Sequence, residues 1–254
     1  MQKTYSLEGV QAILAYPFKA PGWQSKLLVG AALFFANYII PIVPGILITG
    51  YFAKIMRNVI VDQAEPALPE WDDWGTLFKR GFKVTCAAAI YLMPAMILLI
   101  GGYLVMYIPL IVESFSSGST TSLHTSMSGF SVLGVLLGMA MFFLGFILYI
   151  PLSLMLPPAI THLVAKDSFA AAFHIRAWWA IFRANLAGFF TAAAVIIGVY
   201  TILFLCVYIF YFTIILCFLL PIGMSVIVIY LTAVSAPLLG EAYRKGVENL
   251  AAKA

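Results

Sequence analysis

Three acidic residues stand close together in residues 68–81, which read LPEWDDWGTLFKRG. Glu70, Asp72 and Asp73 could bind a divalent cation or act as general acids and bases, because carboxylates serve both roles. The segment lacks the full ligand pattern of a calcium-binding loop, and it contains no histidine or nucleophile that hydrolytic chemistry would need. We therefore expect no catalytic residue and no metal site here.

The same segment has the pattern of a helix that begins beside a membrane. Asp72 or Asp73 can cap the first turn of such a helix. The apolar residues that follow recur with the period of one helix face: Trp74, Leu77, Phe78 and Phe82. Tryptophans and basic side chains prefer lipid headgroups. The residues expected at an interface with lipids or a partner are Trp71, Asp72, Asp73, Trp74, Lys79 and Arg80.

Residues 167–185, which read DSFAAAFHIRAWWAIFRAN, repeat this arrangement. The residues expected at the interface here are Arg176, Trp178, Trp179, Arg183 and Asn185. We interpret His174 as an interfacial side chain, since no second histidine or carboxylate accompanies it at metal-ligand spacing. His162 is the better candidate for a pigment or haem ligand, but a single histidine is a non-specific signal, so no cofactor is expected.

The composition shows what kind of elements must position these residues. Of the 254 residues, 63% are hydrophobic and 9% charged, whereas soluble domains carry about 25% charged residues. No Asp, Glu, Lys or Arg occurs in residues 27–53, 84–112, 130–165 or 184–240. A membrane-crossing helix needs only about 20 apolar residues. The sequence therefore predicts an all-α polytopic membrane protein that forms a single integral membrane domain over residues 1–254.

The distribution of basic residues predicts the orientation in a prokaryotic plasma membrane. Residues 113–129 contain ten Ser or Thr and no Lys or Arg, so we expect this loop outside. The 68–81 segment, residues 166–183 and both termini then lie in the cytoplasm. Residues 27–60 could form one kinked span or a hairpin broken at residues 41–45. We favour the hairpin because it places all 14 basic residues in the cytoplasm.

A weak internal repeat supports three such hairpins. Residues 74–89 align with residues 178–193 at an offset of 104 residues, and residues 21–32 resemble a looser third copy. We expect repeat-like units at residues 5–60, 69–165 and 167–245. Each unit would comprise a cytoplasmic interfacial amphipathic helix and a membrane hairpin, which gives about six membrane helices. The last turn is expected between Ile209 and Pro221, with Pro221 in the first turn of the returning helix.

Several short motifs give the chain a resemblance to a known family. They are Gly50 with Tyr51 and Arg57, then LPEWDDWGTLFKRG, RANLAGF and EAYRKG. With these the chain resembles a family of bacterial and archaeal multipass membrane proteins classified only as a domain of unknown function. More distantly it is similar to the membrane region of some glycerophosphodiester phosphodiesterases, whose hydrolase domain has no counterpart in this sequence. The resemblance implies six helices and no established activity.

The charge-free runs also bear on function. Pumps and ion-coupled transporters usually keep ionisable residues within the membrane, so proton-coupled transport is disfavoured. The principal hypothesis is a non-enzymatic scaffold or accessory subunit that binds lipids and partner proteins. A transporter or channel for a lipidic or neutral solute is the alternative, favoured by a cavity lined by Asn37, Ser153, Thr161 or Thr191. An intramembrane enzyme is the third hypothesis. Expected partners are membrane lipids and other membrane subunits or a second copy, but no nucleic acid.

Overall fold

A computed structural model of the chain describes residues 7–116, 128–211 and 219–253. These residues are helical almost throughout, and no strand occurs among them. The helices are α1 (Leu7–Lys19), α2 (Trp23–Ala36), α3 (Val43–Ile60), α4 (Trp74–Ser116), α5 (Gly129–Lys166), α6 (Ile175–Ala184), α7 (Leu186–Tyr211) and α8 (Leu220–Ala251). A 3-10 turn, Phe169–Phe173, lies between α5 and α6.

Within the described residues, four helices are long and apolar enough to cross a membrane, namely α4, α5, α7 and α8. The chain is therefore a helical membrane protein, as the composition predicts. Helix α2 is apolar but has only 14 residues, or about 21 Å of helix, against a hydrocarbon core of about 30 Å. The count of six membrane helices stays a prediction.

The chain divides into two compact units, and the larger comprises Met1–Ala87 and Pro157–Ala254. Helix α8 is the core helix of this unit, since it packs against α1, α2, α3, α6 and α7. Small residues let these neighbours approach closely: Gly30 of α2 lies against Ile229. The Tyr16 hydroxyl of α1 donates a hydrogen bond to the Ala233 carbonyl at 2.6 Å. The larger unit is thus organised around α8.

Two helix pairs of the larger unit run antiparallel. Lys26, at the start of α2, and Lys54, near the end of α3, both reach Glu70. The chain therefore reverses between Ala36 and Val43, where the 41–45 break is expected. Asn185, just before α7, bonds to Ala242 near the end of α8, so these two helices are antiparallel as well.

The smaller unit, Ala88–Leu156, consists of the later part of α4 and the earlier part of α5. A Cβ atom at Gly138 would approach the Met106 amide nitrogen to 2.5 Å, and one at Gly134 would lie 2.6 Å from Pro109. The later position in α5, Gly138, thus contacts the earlier position in α4, Met106. Within this unit the two helices therefore run antiparallel. Most of the loop expected outside, residues 117–127, lies outside the described residues.

The interfacial helix expected over residues 74–83 does not exist as a separate element. Helix α4 begins at Trp74 and continues without interruption past Val84. Its first turns have a partner within the protein, because a Cβ at Gly50 of α3 would overlap the Leu77 carbonyl, and one at Gly81 would overlap the Ile46 carbonyl. The start of α4 therefore packs directly on the backbone of α3. The expected contact of this stretch with headgroups stays a prediction.

The expected helix break is present in the last repeat-like unit. There α6 is separate and amphipathic, and it ends at Asn185, whose φ of −140° and ψ of 48° leave the helical region. Helix α7 ends at Tyr211 and α8 begins at Leu220. The predicted turn between them falls largely on residues 212–218, outside the described residues. Pro221 occupies the first turn of α8, as predicted.

Candidate functional site: a clamp segment across α2, α3 and α4

Residues 66–73, which we call the clamp segment, lie across α2 and α3 and are held by two lysines. Lys26 is only 7% exposed, and its Nζ donates to the Leu68 carbonyl at 2.9 Å and pairs with the Glu70 carboxylate at 2.8 Å. Lys54 donates to the Glu70 carbonyl at 2.9 Å. A buried ammonium group needs such partners, because an unpaired charge away from water is costly. The two lysines therefore hold the clamp segment in place.

Aromatic stacking adds a second attachment. The Trp71 ring stacks on Tyr51 with a centroid distance of 3.9 Å and an interplanar angle of 6°. Its Nε1 donates to the Lys26 carbonyl at 2.8 Å, and the Tyr51 hydroxyl donates to the Pro69 carbonyl at 2.9 Å. Trp74 lies 5.9 Å from Trp71 and is 45% exposed. Trp71 thus packs within the protein, and Trp74 has the exposed ring of the pair.

Asp72 and Asp73 each have a defined partner. Asp72 pairs with Lys54, and Asp73 Oδ1 accepts a hydrogen bond from the Thr76 amide at 3.2 Å. Asp73 is therefore the residue that caps α4. The hydrogen bond and charge of Lys54 lower the pKa of Asp72, and hydrogen bonding by Thr76 lowers the pKa of Asp73. Both carboxylates are ionised at neutral pH, whereas a general acid or base works best with a pKa near the operating pH.

A second group of charges joins α3 and α4 to the end of α5. Lys83 pairs with Asp167 at 3.0 Å, and Arg57 donates to the Val164 carbonyl at 3.2 Å. Burial acts to raise the pKa of Asp167, but the hydrogen bond and charge of Lys83, with the charges of Arg57 and Arg80, lower it overall. These side chains enclose a cavity of only about 10 Å³. The group is a packed charge network rather than a ligand pocket.

The two tryptophans of α6 differ sharply. Trp178 is 0% exposed, and its Nε1 donates to the Ala172 carbonyl at 2.9 Å. Trp178 therefore packs within the protein, because the preceding 3-10 turn folds against α6 and supplies that carbonyl. Its expected place at headgroup depth stays a prediction. Trp179, by contrast, is 41% exposed. Arg176 and Arg183 are exposed on the same helix.

Asn185 connects three helices. Its Oδ1 accepts a hydrogen bond from the Gly188 amide at 3.3 Å in the first turn of α7. Its Nδ2 donates to the Ala242 carbonyl of α8 at 2.8 Å. Asn249 of α8 returns a hydrogen bond to the Ala184 carbonyl at 3.1 Å. The asparagine of the RANLAGF motif therefore holds the α6–α7 corner against α8.

His162 has a partner inside the protein. The ring is buried, and its Nδ1 lies 2.7 Å from the hydroxyl of Tyr243 on α8. Among residues 7–116, 128–211 and 219–253, no three His, Cys, Asp or Glu side chains are grouped so that they could hold a metal ion. The pigment or haem role considered for His162 stays a prediction.

Sequence reasoning missed the partners of the acids. Lys26, Lys54 and Lys83 lie in different helices, and their partners are 44, 18 and 84 residues away along the chain. Local spacing cannot reveal such pairs. One available signal is that Lys26 and Lys54 stand at the edges of apolar runs and that a dense group of acids follows at residues 70–73.

Comparison with known proteins gives one match. A family model described as "Protein of unknown function (DUF4013)" matches residues 33–212, which is more than half of the chain. No curated protein and no solved structure matches it. The similarity to the membrane region of glycerophosphodiester phosphodiesterases therefore stays an expectation.

Proposed function

We propose that this chain, which belongs to the DUF4013 family of proteins of unknown function, is a non-enzymatic membrane scaffold or accessory subunit that binds lipids and partner proteins. The observation that carries the proposal is the clamp segment, where Glu70, Asp72 and Asp73 are all engaged in ion pairs or a helix cap. The most polar part of the sequence builds a defined surface at the helix ends and leaves no reactive carboxylate there.

The proposal places this surface in the cytoplasm of a prokaryotic cell. The three antiparallel pairs α2–α3, α4–α5 and α7–α8 would dip into the membrane as hairpins, with α2 and α3 as a shorter pair. Support comes from the ion pairs, which bring Lys26, Lys54 and Lys83 of three helices to the acids of cytoplasmic segments. This one-sided arrangement of basic residues is typical of the cytoplasmic side.

The outer face of α6 is the proposed contact with a protein partner. It exposes Ile175, Arg176, Trp179 and Arg183, and its other face buries Trp178 against the larger unit. Tryptophan and arginine are enriched among the residues that dominate binding energy in protein interfaces. This face suits another membrane subunit or a second copy of the chain.

The transporter alternative has less support. A cavity of about 440 Å³ between α3, α7 and α8 is lined by apolar side chains with Thr49, Thr232 and Ser235. Thr49 donates to Gly45 and Thr232 to Val228, each within its own helix. Such a lining suits a lipid chain better than a polar solute.

The polar residues expected to line a transport path bind locally instead. Ser153 donates to Ile150 and Thr191 to Ala187, each within its own helix. Thr161 donates to Pro158 within α5, and Asn37, just after α2, accepts from the Gly45 amide at the start of α3. These contacts favour the scaffold over a carrier of neutral solutes.

Native purification tests the scaffold proposal. We expect a protein partner to co-purify with the wild type, and the triple change Arg176→Ala, Trp179→Ala and Arg183→Ala to release it. These side chains are exposed, so stability should change by no more than about 0.5 kcal/mol per substitution. Val61→Ala, an exposed change outside α6, is the matched control and should retain the partner. Equal retention by all three proteins would contradict the α6 contact.

Replacing the clamp acids tests the absence of catalysis. Changing Glu70, Asp72 and Asp73 to amides should alter any activity of the assembly by less than about tenfold, whereas loss of a general acid or base typically costs about 10² to 10⁴. A loss of several orders of magnitude at normal membrane levels would restore the acid–base or metal hypothesis.

A further inference from the structure

An open cavity of about 690 Å³ lies between α1, the loop that follows α3, and α8. Its volume is within the range of about 300–1,000 Å³ that small-molecule sites occupy. Much of its wall is apolar, with Ala12 and Ile13 from α1 and Pro66, Ala67 and Leu68 from the loop. Its charged lining residues are Lys19, Lys26, Glu65 and Glu241.

Glu241 is the acid on the inner wall. It lies in α8 and is 9% exposed. Its Oε2 is buried, and no hydrogen-bond donor reaches that oxygen from the part of the chain that the structure describes. A buried carboxylate oxygen without a donor is costly, since the group has lost its water and gained no partner. Glu241 belongs to the EAYRKG motif, for which the scaffold proposal gives no role.

The other charged groups around Glu241 do not remove this requirement. Lys26 is already held by Glu70 and the Leu68 carbonyl. Lys19 is exposed at the end of α1. On α8 itself, Arg244 lies 3.8 Å from Glu248. The positive charges of Arg244 and Lys245 also act on Glu241, but neither side chain donates to its Oε2. The inner wall therefore presents the Glu241 carboxyl oxygen, a hydrogen-bond acceptor, beside an apolar surface.

We propose that this cavity binds a primary ammonium group attached to a hydrocarbon chain, with the ammonium donating to Glu241 and the hydrocarbon part on the α1 and loop residues. The inference deepens the proposed function, because it rests on lipid binding and names the headgroup class. An ammonium group supplies both the charge and the hydrogen bonds that a carboxylate accepts. Two sources share this chemistry: an aminophospholipid of the membrane and a soluble polyamine.

The lipid source is tested on the full chain in nanodiscs that contain phosphatidylethanolamine and phosphatidylcholine. The choline headgroup is a cation without an N–H donor, so it separates hydrogen bonding from charge. Native mass spectrometry should show preferential retention of phosphatidylethanolamine by the wild type. Glu241→Gln should reduce that preference at least about tenfold, in line with the loss of a charge-assisted hydrogen bond.

Two further variants keep the test interpretable. Glu248→Gln changes an exposed acid of the same helix that does not line the cavity, and it should retain the wild-type preference. Ala67→Trp fills the cavity while leaving Glu241 in place, and it should abolish retention even if Glu241→Gln folds poorly. Similar retention by wild type, Glu241→Gln and Ala67→Trp would overturn the proposal.

Binding of a soluble polyamine is tested by adding spermidine to the full chain in nanodiscs of phosphatidylcholine alone. Thermal stabilisation of the wild type by spermidine, absent in Glu241→Gln, supports the site with a soluble ligand. No response to spermidine together with no preference for phosphatidylethanolamine overturns the site. That result is distinct from failure of the scaffold proposal, which is judged by partner retention in the α6 variants.

Discussion

At the residue scale, the scarce charges of this chain act as connections between helices. Lys26 with Glu70, Lys54 with Asp72 and Lys83 with Asp167 each join segments that are far apart in sequence. Exposed ion pairs contribute little individually. Lys26 is buried, so its ammonium group needs an ion-pair partner more than those of Lys54 and Lys83 do.

Acid should loosen the clamp segment, because the pKa values of Asp72 and Asp73 lie below the ordinary value of 3.8. A carboxyl whose pKa is depressed by folding stabilises the fold fully above its unfolded pKa, and this stabilisation is lost as pH falls through the folded pKa. We expect Trp71 fluorescence, in a variant with no other tryptophan, to be constant above about pH 5 and to change below about pH 4.

Lys54→Gln provides the control for this measurement. Because the Lys54 hydrogen bond and charge lower the pKa of Asp72, the substitution should move the acid transition to higher pH. An identical pH profile in both proteins would show that the Lys54–Asp72 pair does not hold the clamp segment.

At the scale of elements, the crossing of α3 and α4 depends on two glycines. Gly50 and Gly81 let the two backbones meet, since a Cβ at either position would overlap a carbonyl oxygen of the other helix. Both belong to motifs that carry the family resemblance. Their role is packing, and it explains why the start of α4 lies directly against α3.

Alanine at Gly50 or Gly81 should separate α3 from α4. Backbone overlap cannot be relieved by a side-chain rotation, so we expect a loss of about 1–3 kcal/mol or more in the free energy of unfolding. At Gly198 in α7 and Gly223 in α8, an added Cβ would meet no atom within 4 Å. Alanine there should be neutral or stabilise by up to about 1 kcal/mol. Unfolding in mixed micelles measures all four, and equal stabilities would contradict the crossing.

At the scale of the whole molecule, sidedness is the property that the proposed function requires. Lys19 and Glu65 line the same cavity. Under the proposed function a hairpin in residues 27–60 would place positions 19 and 65 on one side of the membrane, whereas a single span would separate them.

Thiol labelling from outside the cell measures sidedness. In a background without Cys86, Cys206 and Cys217, single cysteines at positions 19 and 65 should resist an impermeant reagent, and one at position 114 should react. This follows from the positive-inside rule. Reaction at position 19 but not at 65 would contradict the shared cavity, whereas reaction at both but not at 114 would invert the proposed orientation.

The sequence by itself determined the class of the protein and its local helix signals. The long apolar runs predict membrane helices because the bilayer tolerates few charges. Asp73 at the start of α4 and Pro221 at the start of α8 were predictable, since caps and first-turn prolines depend on residues within one turn. The interruption of the helix before α3, near residues 41–45, was visible for the same reason.

The tertiary structure alone decided which side chains are buried within the protein and which stay exposed. Trp71 and Trp178 carry the same local signal as Trp74 and Trp179, yet Trp71 stacks on Tyr51 and Trp178 is buried. The continuity of α4 likewise depends on α3. These outcomes arise from contacts between distant segments, and periodicity within one helix carries no information about the partner that will cover its apolar face.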